Sequence, residues 1–491
     1  MIEITPTLAI AWVAFPFFIG FTVYLLPQLD RYFALAVTLA SLGFSTLVFL
    51  QESSHTFQLL DSFGVTLIVD TLGGFFILTS ALVTLGVLLY CWHSDKTSFF
   101  YIQLILLHGS VNAAFLCADF ISLYVALEVL SIASFLLVAY SRSPRSIWIG
   151  LRYLFISNTA MLFYLVGTAL VCKANHSFLN FGLGNSPPEA TALIFLGLLS
   201  KGGIFVSGLW LPQTHSQSES PVSAMLSGVV VKTAVLALVR CALLVPAVDP
   251  VVRLAGVGTA LLGVGYAVFE KDCKRMLAFH TVSQLGFVLA APAVAGFYAL
   301  THGLVKASLF LVAGSLPSKN FKELNKTPIA LSLWCLGAIA AFSISGLPLL
   351  AGFGAKTLTT KELLPWQVIA MNIAAVGTAI SFAKFIFLPK SAHIKAPEKF
   401  KTLLLPMVIL LGGLFVSNAF YPKAYALDNI VKALGTISAG WLAYWLVIKR
   451  VSIKLPRGAE RLEHLIGMMS LSAIALSFLM LYLMPQEGLA P

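Results

Sequence analysis

The sequence predicts an all-α integral membrane protein of about 14 to 16 transmembrane helices, with two inverted five-helix repeats that each contain a broken helix. Three observations carry this. Of 491 residues, 59% are hydrophobic and only 10% charged, against about a quarter charged in soluble domains. Apolar runs of about 18 to 25 residues recur along the whole length, each able to cross about 30 Å of hydrocarbon as a helix. Two of the runs are interrupted by Gly and Pro, the pattern of discontinuous helices with a site near the bilayer midplane.

In chain order, the first run is Thr7 to Leu26. It lacks a basic leader and a small-residue cleavage site, so it reads as a retained span rather than a signal peptide. Phe33 to Leu50, Val65 to Trp92, Phe99 to Ala118, Phe120 to Tyr140, Gly150 to Cys172, Ala190 to Leu211 and Pro221 to Val245 follow. The series continues with Val251 to Phe269, Met276 to Val294, Gly296 to Leu316, Pro328 to Ala351, Trp366 to Leu388, Thr402 to Tyr421, Ile430 to Ile448 and His464 to Met484. Trp92, Trp210, Trp366 and Tyr421 stand at run ends and read as interfacial anchors.

The net charge of +11 does not point to nucleic acid, because the basic residues fall in short loops between runs. One alternate set of loops holds Arg31, Lys96, Arg142, Arg145, Lys271, Lys274, Arg275, Lys319, Lys322, Lys326, Lys390, Lys395, Lys399, Lys401, Lys449, Arg450, Lys454, Arg457 and Arg461. The other holds Lys173, Lys361, Lys423 and Lys432, with Arg253 at a run edge. A bias of about four to one places the first set on the cytoplasmic side and both termini opposite.

The broken runs surround Lys201, with a connector at Pro212, and Ile344 to Lys356. Glu128, Lys201, Lys232, His302, Lys306 and Lys356 are the ionisable residues within runs, with Arg240, His280 and His108 as further candidates. A charge at membrane depth costs at least about 2.5 to 3.5 kcal/mol and persists where it faces protein or water. Pairing Glu128 with Lys201 offsets both desolvation costs. Opening such a pair lets the lysine release its proton and closing it restores the charge. His302 and Lys306, at i and i+4, share a helix face and can relay within a row of lysines. Lys356 follows a break and has the look of an interfacial lysine. Arg240, near a run end, reads as snorkelling to the interface, His108 and His280 as hydrogen-bonded core residues, and His215 in the connector as either solvated or buried.

Other chemistries find no support. Cys91, Cys117, Cys172, Cys241, Cys273 and Cys335 stand singly, without ligand spacing, and read as small packing residues. No nucleotide loop, haem or iron-sulfur spacing, or nucleophile elbow is present, so no cofactor, no metal and no redox chemistry are expected within this chain. It reads as a transporter rather than an enzyme.

Through Thr301 to Gly314, Asp272 to Gly286 and Gly109 to Tyr124, and over about Val65 to Tyr421 as a whole, the chain resembles the antiporter-like membrane subunits shared by Mrp-type multisubunit cation/proton antiporters and respiratory complex I. Thr301-His-Gly-Leu-Val-Lys-Ala-Ser-Leu-Phe-Leu-Val-Ala-Gly314 is similar to that family's His-x-x-x-Lys-Ala-x-Leu-Phe-Leu-x-x-Gly helix. Asp272-Cys-Lys-Arg-Met-Leu-Ala-Phe-His-Thr-Val-Ser-Gln-Leu-Gly286 is similar to another of its signatures, and Gly109 to Tyr124 looks closest to the D branch of the Mrp subunits. The resemblance implies proton translocation along Glu128, Lys201, Lys232, Lys306 and Lys356, and it raises Lys356 above its interfacial reading. Ser218 to Ser223 loses a proline usual in the connector, Gly346-Leu-Pro-Leu replaces a common double proline, and the last two runs look additional to the pattern of the D branch.

The division expected is 1–98 N-terminal helices, 99–245 first repeat, 251–388 second repeat and 389–491 C-terminal helices. The partners implied are other membrane subunits of a hetero-oligomeric complex, the lipid bilayer, H+ and Na+, in a cell or other energy-transducing membrane. An antiporter component that runs on the proton gradient is the leading reading. A proton-pumping subunit of a complex I-type quinone oxidoreductase is the alternative.

Overall fold

The computed structural model describes residues 3–51, 53–60, 64–419, 421–451, 453 and 455–484. Lys454 of the basic set and Phe420 of the run ending at Tyr421 lie outside the described residues. Helices α1 (Pro6–Leu25) and α2 (Asp30–Leu50) pack against each other. Strands β1 (His55–Gln58) and β2 (Thr66–Val69) pair antiparallel, so the run expected from Val65 begins as a strand. Then come α3 (Thr71–Cys91), α4 (Ser98–Leu116), α5 (Phe120–Val138), α6 (Pro144–Asn175), α7 (Pro188–Gly202), α8 (Leu211–Gln217), α9 (Ser220–Met225) and α10 (Val231–Leu244). The chain continues through α11 (Asp249–Phe269), α12 (Cys273–Ala290), α13 (Ala295–Ala313), α14 (Phe321–Leu324), β3 (Ile329–Ala330), α15 (Leu331–Ser345), α16 (Ala351–Lys361) and α17 (Pro365–Ile386). It closes with β4 (Lys390–Ser391), α18 (Phe400–Ala419), α19 (Leu427–Ala443) and α20 (Leu462–Leu483).

Fourteen helical stretches among the described residues are long and apolar enough to cross a membrane. The two other expected runs are α12 and the broken pair α15 and α16. Every residue of α12 and of α13 is buried, which makes them the centre of the protein. Outer helices instead leave apolar side chains bare: Phe18 is 72% exposed, Ile369 74% and Phe478 71%. Only lipid or another membrane protein can cover such a belt, and this is a multi-pass membrane protein.

The basic loops meet on one face. Lys96 pairs with Glu219, Lys319 Nζ donates to the Ser216 carbonyl at 3.1 Å, and Arg275 Nη2 reaches Glu460 at 2.5 Å. After α19, which packs on α17, the chain crosses this face and α20 returns to lie on α6 and α7. The last two runs therefore brace both broken segments, α19 through α17 and α20 directly on α7.

Candidate functional site

Both breaks are built alike. Helix α7 ends at Gly203, with φ +70°, and α15 ends at Gly346, with φ +90°. Each closes a Schellman cap: the Ile204 N–H reaches the Leu199 carbonyl at 2.9 Å, and the Leu347 N–H reaches Phe342 at 3.0 Å. A second left-handed residue follows in each, Phe205 at φ 52° and Leu349 at φ 84°. A serine stands three residues before each glycine, Ser200 and Ser343, and each keeps a buried hydroxyl without a partner. Gly208 lies against the Gly203 carbonyl and Gly352 against Ser343, so closely that a Cβ at either would clash.

Lys201, in the last turn of α7, is 3% exposed. Its Nζ donates to the Ser157 hydroxyl on α6 at 2.6 Å and to the Ser131 hydroxyl on α5. The ion pair expected between Glu128 and Lys201 is not formed. Glu128 sits one turn before Ser131 on α5, and its buried Oε1 has no hydrogen-bond partner. Two hydroxyls take the ammonium in place of the expected carboxylate.

Lys232 follows a π-turn, Leu226–Val230, that links α9 to α10. Its Nζ turns back onto that turn, donating to the Gly228 carbonyl at 2.7 Å and to Ser227 at 3.2 Å. The same ammonium passes over Gly303 of α13, where a Cβ would lie 3.6 Å away. His302 and Lys306 occupy neighbouring positions on α13. Lys306 Nζ donates to the Leu277 carbonyl of α12 at 2.8 Å and lies 5.8 Å from the Phe382 ring. Both ring nitrogens of His302 are buried without partners. His302 and Lys356 line a shared cavity of about 10 Å³, room for a single water. Lys356 Nζ donates to the Ser345 carbonyl, the last residue of α15, at 3.2 Å.

The predicted residues thus fall into two groups. Lys232, His302, Lys306 and Lys356 gather around α13; Glu128 and Lys201 gather around Ser131 on α5. Among the described residues no hydrogen bond joins the groups. Every lysine in them is held by hydroxyls or carbonyls, and none by a carboxylate.

Several sequence readings change. Arg240 does not snorkel; it makes a two-pronged ion pair with Asp70 at 2.8 and 3.0 Å, at the start of α3. Trp210 is not an interfacial anchor: it is 4% exposed, and its Nε1 caps the Ser200 carbonyl at 3.0 Å beside Lys201. His108 is a satisfied core residue, bonded to Ser80, Thr84, Ser41 and Asn112. His280 instead has both nitrogens unpartnered, 4.6 Å from the Phe382 ring. His215 is fully buried, stacked on Phe310 at 4.8 Å. Lys274, counted above as a loop charge, is 3% exposed and donates to the Ser218 carbonyl at 2.8 Å. Lys384, which the sequence reading passed over, donates to the Glu270 carbonyl at 2.8 Å and to Ala267 at 3.2 Å. It lies within a predicted run, the signal that marked the other lysines, but close to the run's end.

At the basic face, Glu270 follows α11 and faces Arg275. Burial alone would raise its carboxyl, but the Arg275 guanidinium and the Asp272 and Lys271 backbone N–H groups outweigh it and hold Glu270 below the usual carboxylate range.

The sequence pattern of the NADH:quinone oxidoreductase/Mrp antiporter transmembrane family matches residues 117–381. The D subunit of the Na(+)/H(+) antiporter of Alkalihalophilus pseudofirmus is 29% identical over 393 residues, which span 71% of this chain and 79% of the relative. The N subunit of the NADH-quinone oxidoreductase of Desulforudis audaxviator is 30% identical over 377 residues, spanning 68% of this chain and 73% of the relative. A chain of the Mrp complex from Dietzia sp. shares the fold with a TM-score of 0.71 at 20% identity, covering 94% of this chain and 100% of the other. A chain of the archaeal membrane-bound sulfane sulfur reductase does so with a TM-score of 0.75 at 20% identity, covering 89% of this chain and 99% of the other.

Proposed function

Since the chain belongs to the NADH:quinone oxidoreductase/Mrp antiporter family of membrane subunits, we propose that it is the proton-translocating subunit of a multisubunit Na+/proton antiporter. The observation that carries this is the set of lysines at membrane depth with neutral partners only. A buried ammonium held by hydroxyls and carbonyls has no fixed counter-charge to lock its proton in place, so a small rearrangement moves the proton on. In this reading residues 99–245 and 251–388 are the two repeats. Glu128 modulates Lys201 across the one turn that separates it from Ser131. Lys232, His302 and Lys306 form the central relay, and Lys356 exchanges with it through the one-water cavity.

The similarity to the D subunit of a Na(+)/H(+) antiporter and the Gly109 to Tyr124 stretch favour the antiporter. The comparable similarity to the N subunit of a quinone oxidoreductase supports the second reading, in which redox chemistry on other subunits drives the same residues. Mass spectrometry of what copurifies with the tagged chain in mild detergent separates them. Small hydrophobic partners without cofactors fit the antiporter; iron-sulfur or quinone-module subunits overturn it. For the proton path, Lys201→Ala should abolish cation/proton exchange in vesicles while the complex still assembles. Normal exchange by that variant would sink the path.

A further inference from the structure

Where α6, α8, α12 and the segment before α20 meet on the basic face, a cavity of about 640 Å³ opens that the lysine row does not use. Its walls carry Arg145, Arg152, Arg275, Arg457 and Arg461 against Asp272, Glu460 and Glu463. Two of the carboxylates are committed, and the third, Glu463, enters no ion pair among the described residues, one carboxylate against the free guanidinium groups of Arg145 and Arg461. Asp272 caps α12, accepting from the Arg275 backbone N–H at 2.9 Å, and Glu460 accepts from Arg275 Nη2 at 2.5 Å. Several arginines are not. Arg145 and Arg461 enter none of the ion pairs among the described residues. Arg152 is 7% exposed; its Nη2 donates to the Glu460 carbonyl, while its buried Nε has no partner. A surplus of guanidinium groups with a buried donor left over matches a phosphate oxyanion, which takes several charge-assisted N–H bonds at once.

The surroundings say which phosphate. Ile147, Leu151 and Phe155 recur every fourth residue along α6 and are 40%, 46% and 53% exposed, and Trp148 beside them is 58% exposed and lines the cavity rim. An apolar stripe thus leads from the basic cavity into the membrane. We propose that the cavity holds the phosphate of an anionic phospholipid whose acyl chains lie along this stripe. The headgroup bridges α6, which carries Ser157 under Lys201, to α8, the connector after the first break, and to the segment that brings Glu460 between Arg152 and Arg275. It therefore fastens the first break from the basic face. Basic pockets between membrane helices on that side suit such headgroups.

The test needs no transport assay and stands apart from the function proposed above. The full chain, purified in neutral detergent, is titrated with phosphatidylglycerol, with phosphatidylcholine and with sodium phosphate while its Tm is followed. Phosphatidylglycerol should raise Tm saturably and phosphatidylcholine should not. The double variant Arg145→Gln, Arg461→Gln should need about tenfold more phosphatidylglycerol for half the shift. Arg152→Gln should act in the same direction, but it also removes a bond to the Glu460 carbonyl, so the rim pair carries the test. Equal shifts with both lipids, or a rim double variant that saturates like the parent, would overturn the site. If sodium phosphate alone gives the full shift and phosphatidylglycerol adds nothing, the cavity takes soluble phosphate and the lipid assignment falls.

Discussion

The two broken helices share a backbone and differ in how they hold a lysine. Each ends in a left-handed glycine with a Schellman cap, a serine three residues earlier and a second glycine pressed against a carbonyl. In the first, the lysine precedes the cap, and its ammonium leaves the helix for the hydroxyls of Ser131 and Ser157 on two neighbouring helices. In the second, the residue at that place is Ile344, and Lys356 reaches back from α16 to the Ser345 carbonyl. In the first break the added side-chain donor to a carbonyl of the last turn is Trp210, on Ser200. One break couples its lysine to other helices; the other uses its lysine to cap itself. The hydrogen bond that holds the ammonium is therefore open to tuning by side chains of other helices in the first break, and in the second it depends on the backbone of the break itself.

The largest effect follows directly. Replacing Ser131 and Ser157 together by Ala removes both acceptors from the Lys201 ammonium. A hydrogen bond to a charged group contributes about 1.5 to 3 kcal/mol, so the pair should disfavour the charged lysine by about 3 kcal/mol or more, roughly a hundredfold in its population. Exchange in vesicles should fall to near the level of Lys201→Ala. Retention of more than half the activity would show that the hydroxyls are packing groups only.

The glycines come next. Alanine in a left-handed conformation costs about 1 to 2 kcal/mol at either cap. At Gly203 the new Cβ would also lie 2.4 Å from Leu211 Cδ1, whereas at Gly346 the nearest atom is Lys356 Cδ at 3.1 Å. Gly203→Ala should thus lower Tm more than Gly346→Ala. Gly346→Ala should depress exchange out of proportion to its smaller Tm change, because the methyl meets the Lys356 side chain. The reverse order would mean that the two caps are not the equivalents their geometry suggests.

The sequence shows the fold through run length and charge alternation, both of which the membrane imposes directly. It shows Lys201, Lys232, Lys306 and Lys356 because a charge inside an apolar run is costly, but not Lys274 or Lys384, which stand near helix ends. It does not show their partners. Ser131 and Ser157 lie 70 and 44 residues from Lys201 and look like any small residue that lets helices pack. The carbonyls that hold Lys232, Lys306 and Lys356 carry no side-chain signature, since every residue has one. The π-turn before Lys232 and the inward turn of Trp210 depend on packing between helices far apart in the chain. Arg240 misled because position in a run marks membrane depth and not a partner, and Asp70 is 170 residues away.

Acid should act unequally on the two breaks. Glu270, held below the usual carboxylate range, stabilises the junction of α11, α12 and the segment before α20 at pH values above its unfolded range near ~4. That contribution is lost as pH falls through the folded value. Amide exchange at residues 270–275 and 458–461, beneath the first break, should therefore quicken on acidification before that at residues 346–352. Glu270→Gln should flatten the dependence. A simultaneous response of both segments in the parent protein would place the acid-sensitive group elsewhere.

The smallest effect belongs to Ser345→Ala, and it is the sharpest check on the comparison. Ser345 is the residue nearest to Lys356 by hydrogen bonding, as Ser131 and Ser157 are to Lys201. Yet Lys356 takes its carbonyl, and the Ser345 hydroxyl only bonds back to the Ala341 carbonyl at 2.7 Å within α15. Alanine keeps the carbonyl, favours the helix and removes one back-bond of a kind that slightly destabilises helices. Stability should change by no more than about 1 kcal/mol, the scale of one net hydrogen bond, and exchange should stay within about twofold of the parent. A loss comparable to that of the Ser131, Ser157 pair would mean that the hydroxyl contacts the proton path in a state other than this one. The second break would then be tunable by side chains after all.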